Sequence, residues 1–205
     1  MRMKPSLIIV LIVTFAAMFM VGCGDDDKIL ESQRTSIERY LTSSHNPRLI
    51  PQSEVENSIT YNPPFYQKFG LDIYRYISTY YNQGRDKLPE VTKGDEVELI
   101  YTAYDFKGSA PSVSNIYATN DAAKIDELVK AGLNAEYWSE EPVKIKIGNT
   151  EIIKGVEVSL LGCREGDVVE VYMTQKAAYD NKGVGIVVKD SPVMWTYTIT
   201  RVLKK

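Results

Sequence analysis

Short runs in which apolar residues recur at every second position limit most strictly what this chain can fold into. Ile73, Arg75 and Ile77 alternate with Tyr74, Tyr76 and Ser78, and Val97, Leu99 and Tyr101 alternate with Glu96, Glu98 and Ile100. Val143, Ile145 and Ile147 repeat the pattern, as do Val169, Val171 and Met173, and then Val193, Trp195, Tyr197 and Ile199. A period of two sends alternate side chains to opposite faces of a pleated strand, so each run reads as a half-buried strand. Gly94-Asp95, Asp105-Phe106-Lys107-Gly108 and Gly148-Asn149 are turn signals between them. Within this region one helix is predicted over 121–133, capped by Asn120 or Asp121, with Ile125, Leu128, Val129 and Leu133 as its apolar stripe. A second short apolar segment, 156–161, lies between Gly155 and Gly162. Strands, a short helical segment and more strands predict an α+β fold on an antiparallel sheet, not a doubly wound parallel one.

The N-terminus carries a different signal. Arg2 and Lys4 precede an apolar run over 7–22 in which Thr14 is the single polar residue. That run is short of the roughly 20 residues a spanning helix needs. A charged start, an apolar stretch and a small residue before a cut are the parts of a secretory signal. Met20-Val21-Gly22-Cys23 resembles the bacterial lipobox, whose cysteine is diacylated and becomes the new N-terminus. A plain signal peptide and an uncleaved anchor are the other readings. The lipobox resemblance implies a signal peptide over 1–22, lipidation at Cys23 and a soluble domain tethered to the membrane by acyl chains. Asp25-Asp26-Asp27 reads as a solvated tether. It also resembles the acidic export tag of Bacteroides-type surface lipoproteins. The expected place is the bacterial cell envelope, at the outer membrane, facing the periplasm or the cell surface.

Without residues 1–22, 183 of the 205 residues remain; Arg2 and Lys4 leave, so 22 of the 24 Lys and Arg face 27 Asp and Glu, a net charge of −5. This is enough chain for one domain with a substantial extension, or for two small ones. It lacks the basic balance of a nucleic-acid binder. After Cys23 only Cys163 remains, which excludes an internal disulfide, and its apolar neighbours make it a small buried residue. With His45 the only histidine, in a polar loop beside Asn46-Pro47, neither a transition-metal site nor a histidine triad is expected. Gly183-Val184-Gly185 lacks the rest of a phosphate loop, no Gly-x-Ser-x-Gly elbow is present, and Glu140-Glu141 reads as an exposed pair. No cofactor is expected. Residues 24–60 read as peripheral, with Ile29, Leu30, Ile37 and Leu41 forming a modest helical stripe. Residues 61–81 hold Tyr61, Phe65, Tyr66, Phe69, Tyr74, Tyr76, Tyr80 and Tyr81, either a binding platform or a packed extension over a sheet edge.

From Gly94 onward a series of short motifs stands in a recognisable order. Gly94-Asp95-Glu96-Val97-Glu98-Leu99-Ile100-Tyr101-Thr102 is followed by Ile116-Tyr117-Ala118-Thr119-Asn120 and Pro142-Val143-Lys144-Ile145-Lys146-Ile147-Gly148. Then come Ile152-Ile153-Lys154-Gly155-Val156-Glu157, Leu160-Leu161-Gly162-Cys163-Arg164-Glu165-Gly166-Asp167 and Ala177-Ala178-Tyr179 with Gly183 to Gly185. The series resembles the FKBP-type peptidyl-prolyl isomerase domain over residues 94–203. The resemblance implies a twisted antiparallel sheet wrapped around one short helix at about 155–161, with an apolar pocket between them. The N-terminal extension and the helix at 121–133 are additions to that fold. The implied organisation is a signal peptide over 1–22, a tether and Tyr-rich extension over 23–90 and an FKBP-like domain over 91–205.

Carried across motif by motif, the resemblance implies a catalytic set of Tyr101, Tyr117, Ile153, Tyr179 and Trp195, with Val143, Ile152 and Val156 as substrate-binding residues. Ile153 would offer its backbone N–H to the substrate carbonyl, and Tyr179 its hydroxyl to a neighbouring carbonyl. Three departures touch this pocket: the family's floor tryptophan is Val156, its aspartate is Ala118, and the aromatic after Pro142 is Val143. Asp180 replaces a common glycine, and Val188-Lys189 a Pro-Pro pair. Trp195, where the family usually has Phe, would refill part of the floor. The implied function is prolyl isomerisation, or help in folding Pro-containing chains in the cell envelope. The alternative is a catalytically inactive FKBP-like binding module of a surface or periplasmic lipoprotein. The implied partners are proline-containing peptide or protein segments and, through the lipid anchor, a membrane, with no nucleic acid and no metal.

Overall fold

Alternation of buried Val97 and Leu99 with half-exposed Glu96 and Glu98 makes β4 (Glu96–Asp105) the spine of the sheet. In the computed structural model, which describes residues 23–149 and 152–205, β4 pairs antiparallel with β8 (Val193–Leu203), from Glu96 opposite Leu203 to Asp105 opposite Val193. Next to β8 come β7 (Val168–Met173), β3 (Ile73–Ile77) and β2 (Phe65–Phe69), each antiparallel to its neighbour. A two-residue strand, β1 (Ile50–Pro51), runs parallel to β2, so the eight-stranded sheet is mixed at that one pair. The other edge of β4 is shared. Its first half pairs with β6 (Val143–Lys146) and its second half with β5 (Ile116–Thr119). The expected signal peptide and the Met20-Val21-Gly22 part of the lipobox lie outside the described residues.

Neither β5 nor β6 covers β4 at Ile100 and Tyr101, because the chain leaves after Thr119 and returns at Val143. The side chain of Asn120 closes this gap. Its Oδ1 accepts from the Tyr101 N–H at 2.6 Å, and its Nδ2 donates to the carbonyls of Leu99 and Glu141, both at 2.9 Å. A carboxamide carries both donors and an acceptor, so it can stand in for the missing strand. The inserted stretch contains α2 (Ala122–Lys130), whose cap is Asp121, accepting from the Ala123 N–H. Ile125 and Leu128 are buried, but Val129 and Leu133, expected on the same stripe, are exposed. A nine-residue helix offers one narrow contact line, and it ends before Leu133.

The first face of the sheet covers α3 (Lys154–Leu160). Val156 and Leu160 share one buried core with Val97, Leu99, Val171, Met173 and Ile199. A Cβ on Gly155 would stand 2.3 Å from Met173 Sδ, so this close approach requires glycine. Arg75 of β3 reaches the C-terminal end of α3, where its guanidinium donates to the carbonyls of Ser159 at 2.6 Å and Leu161 at 2.7 Å. Positive charge at that end complements the helix dipole and satisfies carbonyls the helix itself leaves unpaired.

Tyrosines crowd the opposite face. Tyr66, Tyr74, Tyr76, Tyr104 and Tyr172 form a second core with Ile37, Tyr40, Leu41 and Leu49 from α1 (Cys23–Arg39) and the chain just after it. Within residues 24–60, expected to be peripheral, Ile37, Tyr40, Leu41 and Leu49 thus belong to a buried core on this face, whereas Ile29 is only partly buried and none of residues 51–60 is buried. The stripe looked modest because its partners are large rings contributed by distant strands. His45, expected in a polar loop, is buried in a turn with a cis Asn46-Pro47 bond; its Nε2 lies 2.9 Å from Glu170 Oε2 and its Nδ1 2.5 Å from the Pro47 carbonyl. No helix among the described residues is long and apolar enough to cross a membrane.

Candidate functional site

Trp195 on β8 sits opposite Ala103 of β4, which makes Tyr101 its diagonal neighbour on the same face. The small Ala103 leaves room, and the two rings stack with centroids 4.6 Å apart and planes 11° from parallel. Tyr117 enters from β5 by a different route. Ala103 faces Ala118 and the next residue, Tyr104, faces Ile116, so Tyr117 is the extra residue of a β-bulge. A bulge bends its strand and re-aims the unpaired side chain. Tyr117 is aimed at the Tyr101–Trp195 stack, and its hydroxyl accepts the Trp195 indole N–H at 2.6 Å.

Tyr179 follows the short turn Gln175–Ala177 after β7 and meets Tyr117 edge-on at 5.9 Å, donating its hydroxyl to that of Tyr117 at 3.2 Å. Burial pushes the hydroxyls of Tyr101, Tyr117 and Tyr179 above the ordinary tyrosine value, so all three stay protonated across the physiological range. Buried Gln33 of α1 braces the Tyr179 loop. Its amide donates to Gln175 Oε1 and to the Asp190 carbonyl, and accepts from the Gln175 N–H.

A cleft of about 540 Å³ opens beside this cluster, at the break between β5 and β6. Tyr101, Tyr117, Ala118, Trp138 and Val143 give it apolar walls, and Thr119, Asn120, Ser139 and Glu141 a polar rim. Its size is ordinary for a ligand pocket. Of the eight residues expected at the site, four rings are brought together: Tyr101, Tyr117, Tyr179 and Trp195. Val143 joins two of them in the cleft. Ile152 and Ile153 are partly buried against the same core. Ile153 is the N-cap of α3, and its carbonyl accepts from Val156 and Glu157. Val156 is wholly buried and belongs to the core, not to the cleft lining.

Two contributors lie outside the expected set of site residues. Trp138 lines the cleft and rests on the second core, and Asn120, by sequence a motif residue and a possible cap, fixes the strand that carries Tyr101. Trp138 is one of only two tryptophans, and its place in an insertion beside the family motifs was the available signal. Cys163 is fully buried, and burial pushes its thiol up to about 11, which keeps it a neutral thiol near neutral pH. Among the described residues no group of three or more His, Cys, Asp and Glu is arranged to hold a metal ion.

The family model described as FKBP-type peptidyl-prolyl cis-trans isomerase matches residues 88–199. Among curated proteins none matches. Among solved structures the chain is similar to the N-terminal domain of FKBP42 from Arabidopsis thaliana, with a TM-score of 0.50 and 9% identity over 72% of this chain and 98% of that one. At that identity the likeness concerns the fold.

Proposed function

From the premise that this chain belongs to the FKBP-type peptidyl-prolyl cis-trans isomerase family, we propose that it binds extended proline-containing segments and eases rotation about X–Pro bonds in the cell envelope. The observation that carries this reading is the four-ring cluster of Tyr101, Tyr117, Tyr179 and Trp195 beside an aromatic-walled cleft. The X–Pro bond resists rotation by roughly 18–20 kcal/mol of amide resonance. A twisted amide has lost that resonance, so a dry aromatic surface disfavours it less than it disfavours the planar, well-solvated amide. The difference lowers the barrier without a nucleophile or a cofactor. Proline rings also stack well in aromatic-lined grooves.

A second reading is a binding module that holds such segments without turning them. It is favoured by Val156 and Ala118, which put a buried aliphatic and a methyl where the family resemblance implies a floor tryptophan and an aspartate. A protease-coupled assay with a proline tetrapeptide, run beside calorimetric binding, separates the two. Turnover above the uncatalysed rate supports isomerisation, binding without turnover supports the module, and neither would defeat both.

The cellular setting belongs to the same proposal. Cys23 follows Gly22 and an apolar run, and it opens α1, whose Asp25, Asp26 and Asp27 are exposed. Diacylation at Cys23 would hold the domain at the outer membrane, on its periplasmic or outer side, since stable anchoring takes more than one acyl chain. Cys23→Ser is expected to abolish palmitate labelling and to leave an unprocessed precursor. Labelling that persists in this variant would defeat the assignment.

A further inference from the structure

The hydrogen bonds around Tyr117 bear on which group serves the peptide in this cleft, a question that rests on the proposed function. An indole N–H can only donate, so the 2.6 Å contact with Trp195 occupies one acceptor position of the Tyr117 hydroxyl. The Tyr179 hydroxyl donates at 3.2 Å and occupies the second. The remaining capacity of Tyr117 is its own proton, and that proton meets no acceptor among the described residues. Tyr117 lines the cleft; Tyr179 does not, and its proton is already directed at Tyr117.

We infer that Tyr117, rather than the Tyr179 that the family resemblance points to, offers the hydrogen-bond donor to a peptide carbonyl in this cleft. Tyr179 and Trp195 are then positioning residues that act through it. A hydroxyl that accepts two hydrogen bonds is polarised and donates more strongly. Tyr117 holds this place because it is the unpaired residue of the β5 bulge. No proton is transferred in this scheme. The oxygen served is that of a peptide group next to the rotating bond, because a donor on the rotating amide's own oxygen would strengthen its resonance and slow the turn. The contact is therefore the same in the planar and twisted states. It should appear in KM and Kd, not in kcat.

Removing the Tyr117 hydroxyl alone would strand the buried indole N–H of Trp195, so the test is made in a Trp195→Phe background, where both partners of that hydrogen bond are gone. The full chain in detergent is assayed with one proline tetrapeptide for Kd, KM and kcat, with near-ultraviolet circular dichroism as the check on folding. Adding Tyr117→Phe is expected to raise Kd and KM about tenfold with kcat little changed, the upper range for one hydrogen bond. Adding Tyr179→Phe is expected to raise them less than threefold. If Trp195→Phe disturbs the fold, the two tyrosine variants are compared in the native background, where the same order is expected. A larger effect for Tyr179→Phe, or no effect of Tyr117→Phe on a peptide that still binds, overturns the inference and leaves the functional reading standing. A native chain that neither binds nor turns over the peptide defeats the functional reading first and the inference with it.

Discussion

Trp195 stacks on Tyr101, donates to Tyr117 and belongs to the core that buries α3, so one side chain joins the site to the fold. Trp195→Ala is expected to destabilise the chain by about 3–5 kcal/mol, the usual range for emptying a large aromatic site in a core. Denaturant unfolding with a reduced midpoint and an unchanged slope is the expected result. A shift under 1 kcal/mol would mean that the ring is not packed as described. At this scale the motif series named four rings that the structure brings together. It did not place Tyr117 in a bulge, since a bulge is a relation between two strands and only the pairing of Ala103 with Ala118 and Tyr104 with Ile116 exposes it. The loss of the floor tryptophan was visible at Val156, yet the way Trp195 lies against Tyr101 depends on the smallness of Ala103 across the ladder.

Among the elements, α3 depends on a strand that the family motifs do not include. Arg75 of β3 supplies the donors for its C-terminal carbonyls and is also held by Gln67, with Phe69 under its guanidinium at 4.7 Å. Arg75→Met keeps much of the bulk but removes the guanidinium donors, leaving the Ser159 carbonyl only the Cys163 thiol at 3.2 Å, and it is expected to cost about 1–3 kcal/mol. Equilibrium urea unfolding measures this, and a neutral outcome would show that water replaces the guanidinium. The strands were legible because a period of two survives any tertiary context that buries one face, as Val97 and Leu99 or Val169 and Val171 show. The helical cover of residues 24–60 was less legible. Ile37 and Leu41 become core residues only against Tyr74, Tyr104 and Tyr172, which lie far along the chain. Asn120 was legible as a motif position and a possible cap, but its use as a substitute for a strand follows from the break between β5 and β6.

For the molecule as a whole, the extension and the remainder share one sheet and are latched by a titratable pair. His45 sits between acceptors, Glu170 Oε2 and the Pro47 carbonyl, so hydrogen bonding favours the imidazolium. Burial works against that charge, but the hydrogen bonds to Glu170 and Pro47 and the charge of Glu170 outweigh it, and the pKa stands above 6.5. Tyr40, Tyr76 and Tyr172 surround the ring, and burial raises each of them, so they stay neutral while His45 titrates. A raised folded value means that the latch contributes fully below the ordinary histidine value of 6.5 and is lost as pH rises through the folded one. The melting temperature should therefore fall as pH rises from below 6.5 through the folded value, a change thermal unfolding can read because each kcal/mol moves it by about 2–4 °C in a chain of this size. His45→Gln should flatten that slope, and an unchanged slope in the variant would assign it to other groups.

The helix that opens at Cys23 has a mechanical consequence. Gln33, ten residues along α1, is already fastened to Gln175 and Asp190 beside the Tyr179 loop, which at 1.5 Å per residue is a rise of ~15 Å. If Cys23 is acylated as proposed, no slack string would lie between bilayer and cleft, only a short helical stalk. Such a stalk would limit the reach of the domain to chains that pass within its arm's length of the lipid.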